Sequence, residues 1–206
     1  MPAGPRARLV GLDLGGTAIK AGALSPAGEV LEERSVDTPI TQGPAAVLDA
    51  LAGLARELGA QDAVGVGVPG LLDRPRGVVV ESPNLPGFEQ LAVRGELARR
   101  LGLAPDDVHL ENDANAAALG EQWLGAARGE PDVLVVTLGT GIGSGLILAG
   151  KLVLGAGIGA EVGHVVIEPD GPLCGCGNRG CLETLASASA TERRARAAGP
   201  VSYTHL

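Results

Sequence analysis

Aromatic side chains are almost missing from this 206-residue chain: Phe88, Trp123 and Tyr203 are the only three. A core of stacked rings is thereby excluded, and Ala, Val, Leu and Ile have to fill it. Basic charge is short as well. Sixteen Lys and Arg stand against twenty-four Asp and Glu, a formal net charge of −8, and the basic residues are scattered, which leaves no footprint for a nucleic acid. The one local run, Arg193, Arg194 and Arg196, reads as a solvated helix face. No apolar run approaches the ~18 residues of a membrane span, and the residues ahead of the first strand carry no apolar stretch of the length a signal peptide needs, so none is expected. Cysteine is confined to Cys174, Cys176 and Cys181. Three thiols so close together suit a metal site in a reducing compartment better than a disulfide framework, so the expected location is the cytoplasm.

Apolar residues make up 45% of the chain, enough for one large core or two small ones. Residues 8–13 read as a buried strand running into Gly15-Gly16-Thr17, with further strands at 19–24 and 30–36. Helical spacing covers residues 43–58 and 90–101, with a strand at 63–68. A strand at 108–110 delivers Glu111-Asn112-Asp113 to its end, and a helix follows over 114–124. The opening pattern then returns as a strand at 133–138, a glycine turn at 139–141 and a strand at 144–148. This repetition predicts an α/β chain of two lobes, residues 1–110 and 111–200. A helix over 182–198 stops at Gly199-Pro200. Residues 201–206 read as a non-native tail, although an ordinary frayed end explains their composition equally well.

Two glycine turns are candidate phosphate sites. In Asp13-Leu14-Gly15-Gly16-Thr17 the glycines let backbone N–H groups approach an anion, the Thr17 hydroxyl can donate to it, and Asp13 can hold hydrated Mg2+. The bland alternative is a tight hairpin with an Asp at its bend. The run from Thr137 to Gly145, centred on Gly139-Thr140-Gly141, is harder to explain by turn geometry, and the pair together is stronger than either. Gly65-x-Gly67-x-x-Gly70 matches a dinucleotide fingerprint in spacing only, because Pro75 and Gly77 soon follow where a helix would have to run.

Glu111-Asn112-Asp113-Ala114-Asn115 sets several polar side chains at a strand-to-helix corner. An Asp there can take a proton from a bound hydroxyl while an amide fixes that ligand; alternatively Asp113 only caps the helix. His164 with the three cysteines makes a Cys3His set of the kind that closes around zinc, against inert thiols or one disulfide with a spare. Glu161 and Glu183 flank that set and suit hydroxyl-rich ligands, or else stand in solvent.

Taken together, Asp13-Leu14-Gly15-Gly16-Thr17, Glu111-Asn112-Asp113-Ala114-Asn115-Ala116-Ala117 and Cys174-x-Cys176-Gly177-x-x-Gly180-Cys181-x-Glu183 resemble the ROK family (repressors, open reading frames, kinases), its bacterial glucokinases in particular, over about residues 9–190. The resemblance implies an actin-like, ribonuclease-H-type α/β fold with two lobes around a cleft. It implies phosphoryl transfer from Mg·ATP to glucose, with Asp113 as general base and Asn84, Asn112, Glu161, His164 and Glu183 as sugar ligands. The two glycine turns, with Asp13, Gly15, Gly16, Thr17, Gly139, Thr140 and Gly141, are expected around the ATP phosphates, and the resemblance assigns structural Zn2+ to His164, Cys174, Cys176 and Cys181. A dimer or tetramer is expected. Family members continue for ~100 residues more, so the second lobe is expected to be incomplete and to lack the part that holds adenosine. With few residues before the first strand, the helix-turn-helix of the family's repressors is not expected. Other readings stay open: a kinase of N-acetylmannosamine, N-acetylglucosamine or fructose, polyphosphate as donor, a sugar sensor, or a zinc-stabilised interaction module.

Overall fold

Strand β1 (Leu9–Leu14) buries Val10, Leu12 and Leu14 on one face and leaves Gly11 and Asp13 on the other, the period of two that a half-buried strand requires. The structure, a computed structural model, describes residues 8–155 and 159–199, so the expected tail at 201–206 lies outside the described residues. Two compact units divide the chain, residues 1–116 and 117–206.

In the first unit β1 pairs antiparallel with β2 (Ala18–Leu24), which pairs with β3 (Val30–Asp37). On its other side β1 runs parallel to β4 (Val64–Val68), and β4 parallel to β7 (Val108–Asn112). The order is thus β3-β2-β1-β4-β7, with α1 (Pro44–Glu57) and α2 (Val93–Leu101) in the two crossovers. Helix α1 starts as the composition suggests, with Pro44 at a position whose N–H needs no partner. Val47, Leu48, Leu51 and Leu97 meet the inward rows of β1, β4 and β7, and Phe88 is fully buried among them. Each such side chain contributes roughly 1.5–3 kcal/mol on burial, so this unit has a core of its own.

Helix α2 begins later than its spacing suggests. Gln90 is held at φ +58° and Leu91 pairs with Val79, which keeps that stretch extended. After β4 the chain turns at Gly70 (φ +110°) into a hairpin of β5 (Leu71–Asp73) and β6 (Val78–Glu81). No helix starts there, as the dinucleotide reading would have needed.

Helix α3 (Asp113–Trp123) runs across the division between the units. The second unit holds β8 (Val133–Leu138), β9 (Ile142–Leu148) and β10 (Lys151–Leu152) in one antiparallel sheet. A 3-10 turn at Val162–His164 follows. The helix expected over 182–198 is two helices, α4 (Leu182–Ala186) and α5 (Ala188–Ala197). Ser187 between them is extended, and its hydroxyl accepts from the Ala190 amide. A side chain that caps a new helix competes with continuing the old one, and that is why the run breaks. Among the described residues no helix is long and apolar enough to cross a membrane.

Candidate functional site

In the first unit the strand register brings two carboxylates to either side of a glycine. Asp13 pairs with Gly67 across β1 and β4, and Asp113 follows the end of β7. A Cβ on Gly67 would stand 3.6 Å from the Asp113 Cα and 3.8 Å from Asp13 Oδ1, so the absent side chain leaves that space to the two acids. Asp13 is exposed by area, yet its neighbours desolvate it enough to hold its carboxyl above the ordinary range. The Asp113 charge adds to that rise, and Lys20, its partner across β2, opposes it.

The Gly15-Gly16 turn closes by a 3.0 Å bond from the Gly15 amide to the Ala18 carbonyl. Thr38, which the motif did not include, braces it. Its hydroxyl donates to the Gly15 carbonyl at 2.6 Å and its amide to the Thr17 carbonyl at 2.8 Å. Asn84 packs against the same turn: its carbonyl oxygen lies 3.0 Å from where a Cβ on Gly16 would be. Asp13, Gly15, Gly16, Asn84 and Asp113 are therefore gathered at one end of the sheet. Thr17 sits on that turn with an exposed side chain.

At the corner before α3 the cap falls to Asn112, not to Asp113 as in the alternative reading. Asn112 Oδ1 accepts from the Asn115 amide at 3.1 Å, so Asn112 caps the helix and Asp113 is its first helical residue, with Oδ1 accepting from the Ala114 amide at 2.9 Å. Glu111 is bound by Arg74 through both carboxylate oxygens, at 2.6 to 2.9 Å. It also accepts from the Asn112 amide and from Asn115 Nδ2. Burial alone would raise the Glu111 carboxyl, but these bonds outweigh it and hold it below the usual range. A group depressed in the folded state stabilises above its ordinary pKa, and that contribution is lost as pH falls through the folded value. Acid unfolding of the chain followed by circular dichroism is therefore expected to soften in Glu111→Gln on this limb; an unchanged acid limb would refute the assignment.

In the second unit three stretches converge. The amide of Gly139 donates to the Gly141 carbonyl, and the Gly139 carbonyl accepts from the Ala188 amide, both at 3.0 Å; Gly139 and Thr140 stay exposed. Ser144 on β9 ties down the next stretch, donating to the Ala160 carbonyl and accepting from the Val162 amide. A Cβ on Gly163 would lie 2.1 Å from the Ile142 carbonyl oxygen, so only glycine lets this turn sit on β9 and present His164. The third stretch is the cysteine loop with the first turn of α4 that follows it, where the Glu183 carboxylate stands 2.7 Å from where a Cβ on Gly141 would be. Glu161 is exposed just ahead of the 3-10 turn.

The ligand atoms of His164, Cys174, Cys176 and Cys181 all lie within 4.8 Å of one another. All three cysteines are free, and the 3.7 Å between the sulfurs of Cys176 and Cys181 is far beyond a disulfide bond of ~2.05 Å. It matches instead the edge of a tetrahedron with Zn–S bonds of about 2.3 Å, roughly 3.8 Å. His164 turns Nδ1 toward the set, 3.5 Å from Cys174 and 3.6 Å from Glu183 Oε1. Burial, aided by a 2.9 Å hydrogen bond to Glu183, pushes the Cys174 thiol up to about 12. A metal cation bound at this sulfur would stabilise the thiolate and offset that rise, the proton leaving to solvent. The donor set fits a tetrahedral metal of zinc's size.

Gly180 shapes this loop, with φ +62° and the Glu168 carbonyl oxygen 1.5 Å from where its Cβ would be. Gly180→Ala is expected to cost the second unit more than about 2 kcal/mol, measured by urea unfolding. Unaltered stability would show that the loop is not built as described.

The profile of the ROK family matches residues 9–203. Over 193 residues the chain is 47% identical to a glucokinase of Thermotoga maritima, covering 92% of this chain and 60% of that one. Among solved structures, a ROK hexokinase from Thermus thermophilus superposes with a TM-score of 0.79 at 46% identity, covering 95% of this chain and 66% of that one. A ROK family glucokinase from Streptomyces griseus, in complex with glucose and AMPPNP, does so with a TM-score of 0.81 at 39% identity, covering 93% and 62%. The chain spans about 60% of the length of the curated glucokinases it matches. With the strand–glycine turn–strand unit, the Glu111 to Asn115 corner and the cysteine loop all in place on an actin-like α/β framework, the chain belongs to the ROK family.

Proposed function

We propose that this chain carries the sugar-binding and base-bearing part of an ATP-dependent hexose kinase, with glucose as its substrate. The sugar's 6-hydroxyl gives its proton to Asp113. Its oxygen forms a bond to the γ-phosphorus as the bond to the β-phosphate oxygen breaks, giving glucose 6-phosphate and ADP. Such transfer depends on positioning and charge neutralisation rather than covalent catalysis. Asn84, Asn112, Glu161, His164 and Glu183 hold the sugar. The turns at Gly15-Gly16-Thr17 and Gly139-Thr140-Gly141 receive phosphates, and Asp13 holds the hydrated Mg2+. His164, Cys174, Cys176 and Cys181 would hold a structural Zn2+, which would fix the loop leading into the helix that bears Glu183 and orient the His164 ring, leaving Nε2 for the sugar.

One observation supports this reading above others. The Glu183 carboxylate lies against Gly141, so a sugar-binding acid and a phosphate-binding turn meet within one unit, as acceptor and donor have to. A coupled ADP-release assay on the complete gene product, over a panel of hexoses and N-acetyl hexosamines with ATP or polyphosphate, tests it. ADP release with glucose is expected. Turnover of another hexose would correct the substrate, turnover with polyphosphate alone would correct the donor, and sugar binding without turnover would replace the kinase by a sensor.

A further inference from the structure

We propose that Arg74 is a positioning residue for the transfer, acting through Glu111 to hold the corner that presents Asp113; this rests on reading Asp113 as the base. Arg74 lies in the turn of the β5–β6 hairpin, far in sequence from the corner it touches. Its Nε reaches both Glu111 oxygens, at 2.9 and 2.8 Å, and Nη2 reaches Oε1 at 2.6 Å. The pair is largely screened from water, with side chains 17% and 22% exposed. The turn itself is pinned from behind. Arg94 donates from Nη2 to the Arg74 carbonyl at 2.8 Å, from Nη1 to the Pro75 carbonyl and from Nε to the Val108 carbonyl, both at 3.2 Å. Gly77, at φ +67°, leaves room for it, since a Cβ there would stand 2.4 Å from the Arg94 Cβ. Arg94 thus fastens the hairpin turn to the start of β7, and Arg74 fastens it to the end.

Beyond Arg74 the connections run straight into the corner. Glu111 Oε1 accepts from the Asn112 amide at 2.8 Å and from Asn115 Nδ2 at 3.0 Å. Asn112 Oδ1 in turn accepts from the Asn115 amide. Asp113 sits between these two asparagines, so the direction in which its side chain leaves the helix start is set by bonds that converge on Glu111.

Stability alone gives a poor account of this cluster. Desolvating an ion pair offsets much of its attraction, and apolar side chains of equal volume often fill such a space at no loss. Asn115 is buried, with Oδ1 lacking any partner among the described residues, a further cost. What the cluster does provide is one geometry for the corner, and for a base that geometry matters steeply. A displacement of about 1 Å can cost ~100-fold in rate.

The test uses the complete gene product with Arg74→Met, Arg74→Lys, Glu111→Gln, the Arg74→Met/Glu111→Gln pair and Asp113→Asn. Hexose kinetics are measured well below each variant's melting temperature. Arg74→Met is expected to lower kcat about 10- to 100-fold, with a smaller rise in sugar KM. Arg74→Lys should recover only part of that loss, because an ammonium cannot grip both oxygens. The double variant should be no slower than the slower single one, since both changes release the same corner. A role in stability alone would lower the melting temperature and leave kcat intact, and that result would overturn the proposal. So would losses that multiply in the double variant. If Arg74→Met does not fold, Glu111→Gln, nearly identical in shape, carries the same kcat test. Asp113→Asn separates the two layers. Full turnover there removes the base assignment itself, whereas lost turnover there with normal Arg74→Met removes only the role of Arg74.

Discussion

Asp113→Asn in the complete gene product is expected to lower hexose turnover by at least about 100-fold, with sugar affinity changed only a little and the melting temperature within a degree or two. The stability half of that expectation comes from the cap. Asn112, not Asp113, accepts the Asn115 amide, and the remaining contact of Asp113, to the Ala114 amide through Oδ1, is one that an asparagine carbonyl reproduces. The chemical half comes from proton bookkeeping. An amide can accept a hydrogen bond from a sugar hydroxyl but cannot keep its proton as the new bond to phosphorus forms. Binding and folding thus survive while transfer fails. Steady-state kinetics, calorimetric titration with glucose and a thermal melt read the three quantities separately. Normal turnover in this variant would sink the base assignment, and a large fall in melting temperature would return Asp113 to a structural part.

The second large effect is expected from Cys176→Ser. Cys176 is the exposed member of the cysteine set, so its thiol adds nothing to a packed interior, and serine is close to it in size. Were the cysteines inert, the change would pass unnoticed. If they hold zinc, the purified chain carries the metal stoichiometrically and the variant carries little. Structural zinc binding is worth ~10 kcal/mol or more in small domains, so even a part of it lost from a unit of this size moves the melting temperature by roughly 10 °C or more. Cys181→Ser should do at least as much, because Cys181 is buried, bridges to Val166 and leads into α4. Metal analysis with thermal melts decides it. A zinc-free wild-type chain, or a Cys176→Ser variant that melts like wild type, would dismiss the metal.

Local pattern revealed the elements far better than it revealed their neighbours. The inward rows of β1 and β4 and the glycine turns were legible because strand alternation and missing side chains are properties of adjacent residues. The start of α2 was not, because Leu91 is held extended by Val79, a partner outside any window around it. The break at Ser187 was missed for a related reason. A serine within an alanine-rich run looks helical until the amide it caps is known. The cysteine set was legible because its spacing is itself the chemistry. Thr38 and Arg74 left no such trace: one braces Gly15 from the far end of β3, the other binds Glu111 from a separate hairpin. Contacts of that kind are created by topology, and a sequence read in order does not display them.

The placement of the cap on Asn112 has an evolutionary consequence. An aspartate codon becomes an asparagine codon by a single base change, and the helix that begins here does not depend on a carboxylate at position 113. Under the kinase reading proposed above, a descendant loses the chemistry in one step and keeps the fold, the cysteine loop and the residues proposed to hold its sugar. Under that reading, selection would meet a sugar receptor one substitution away from an enzyme.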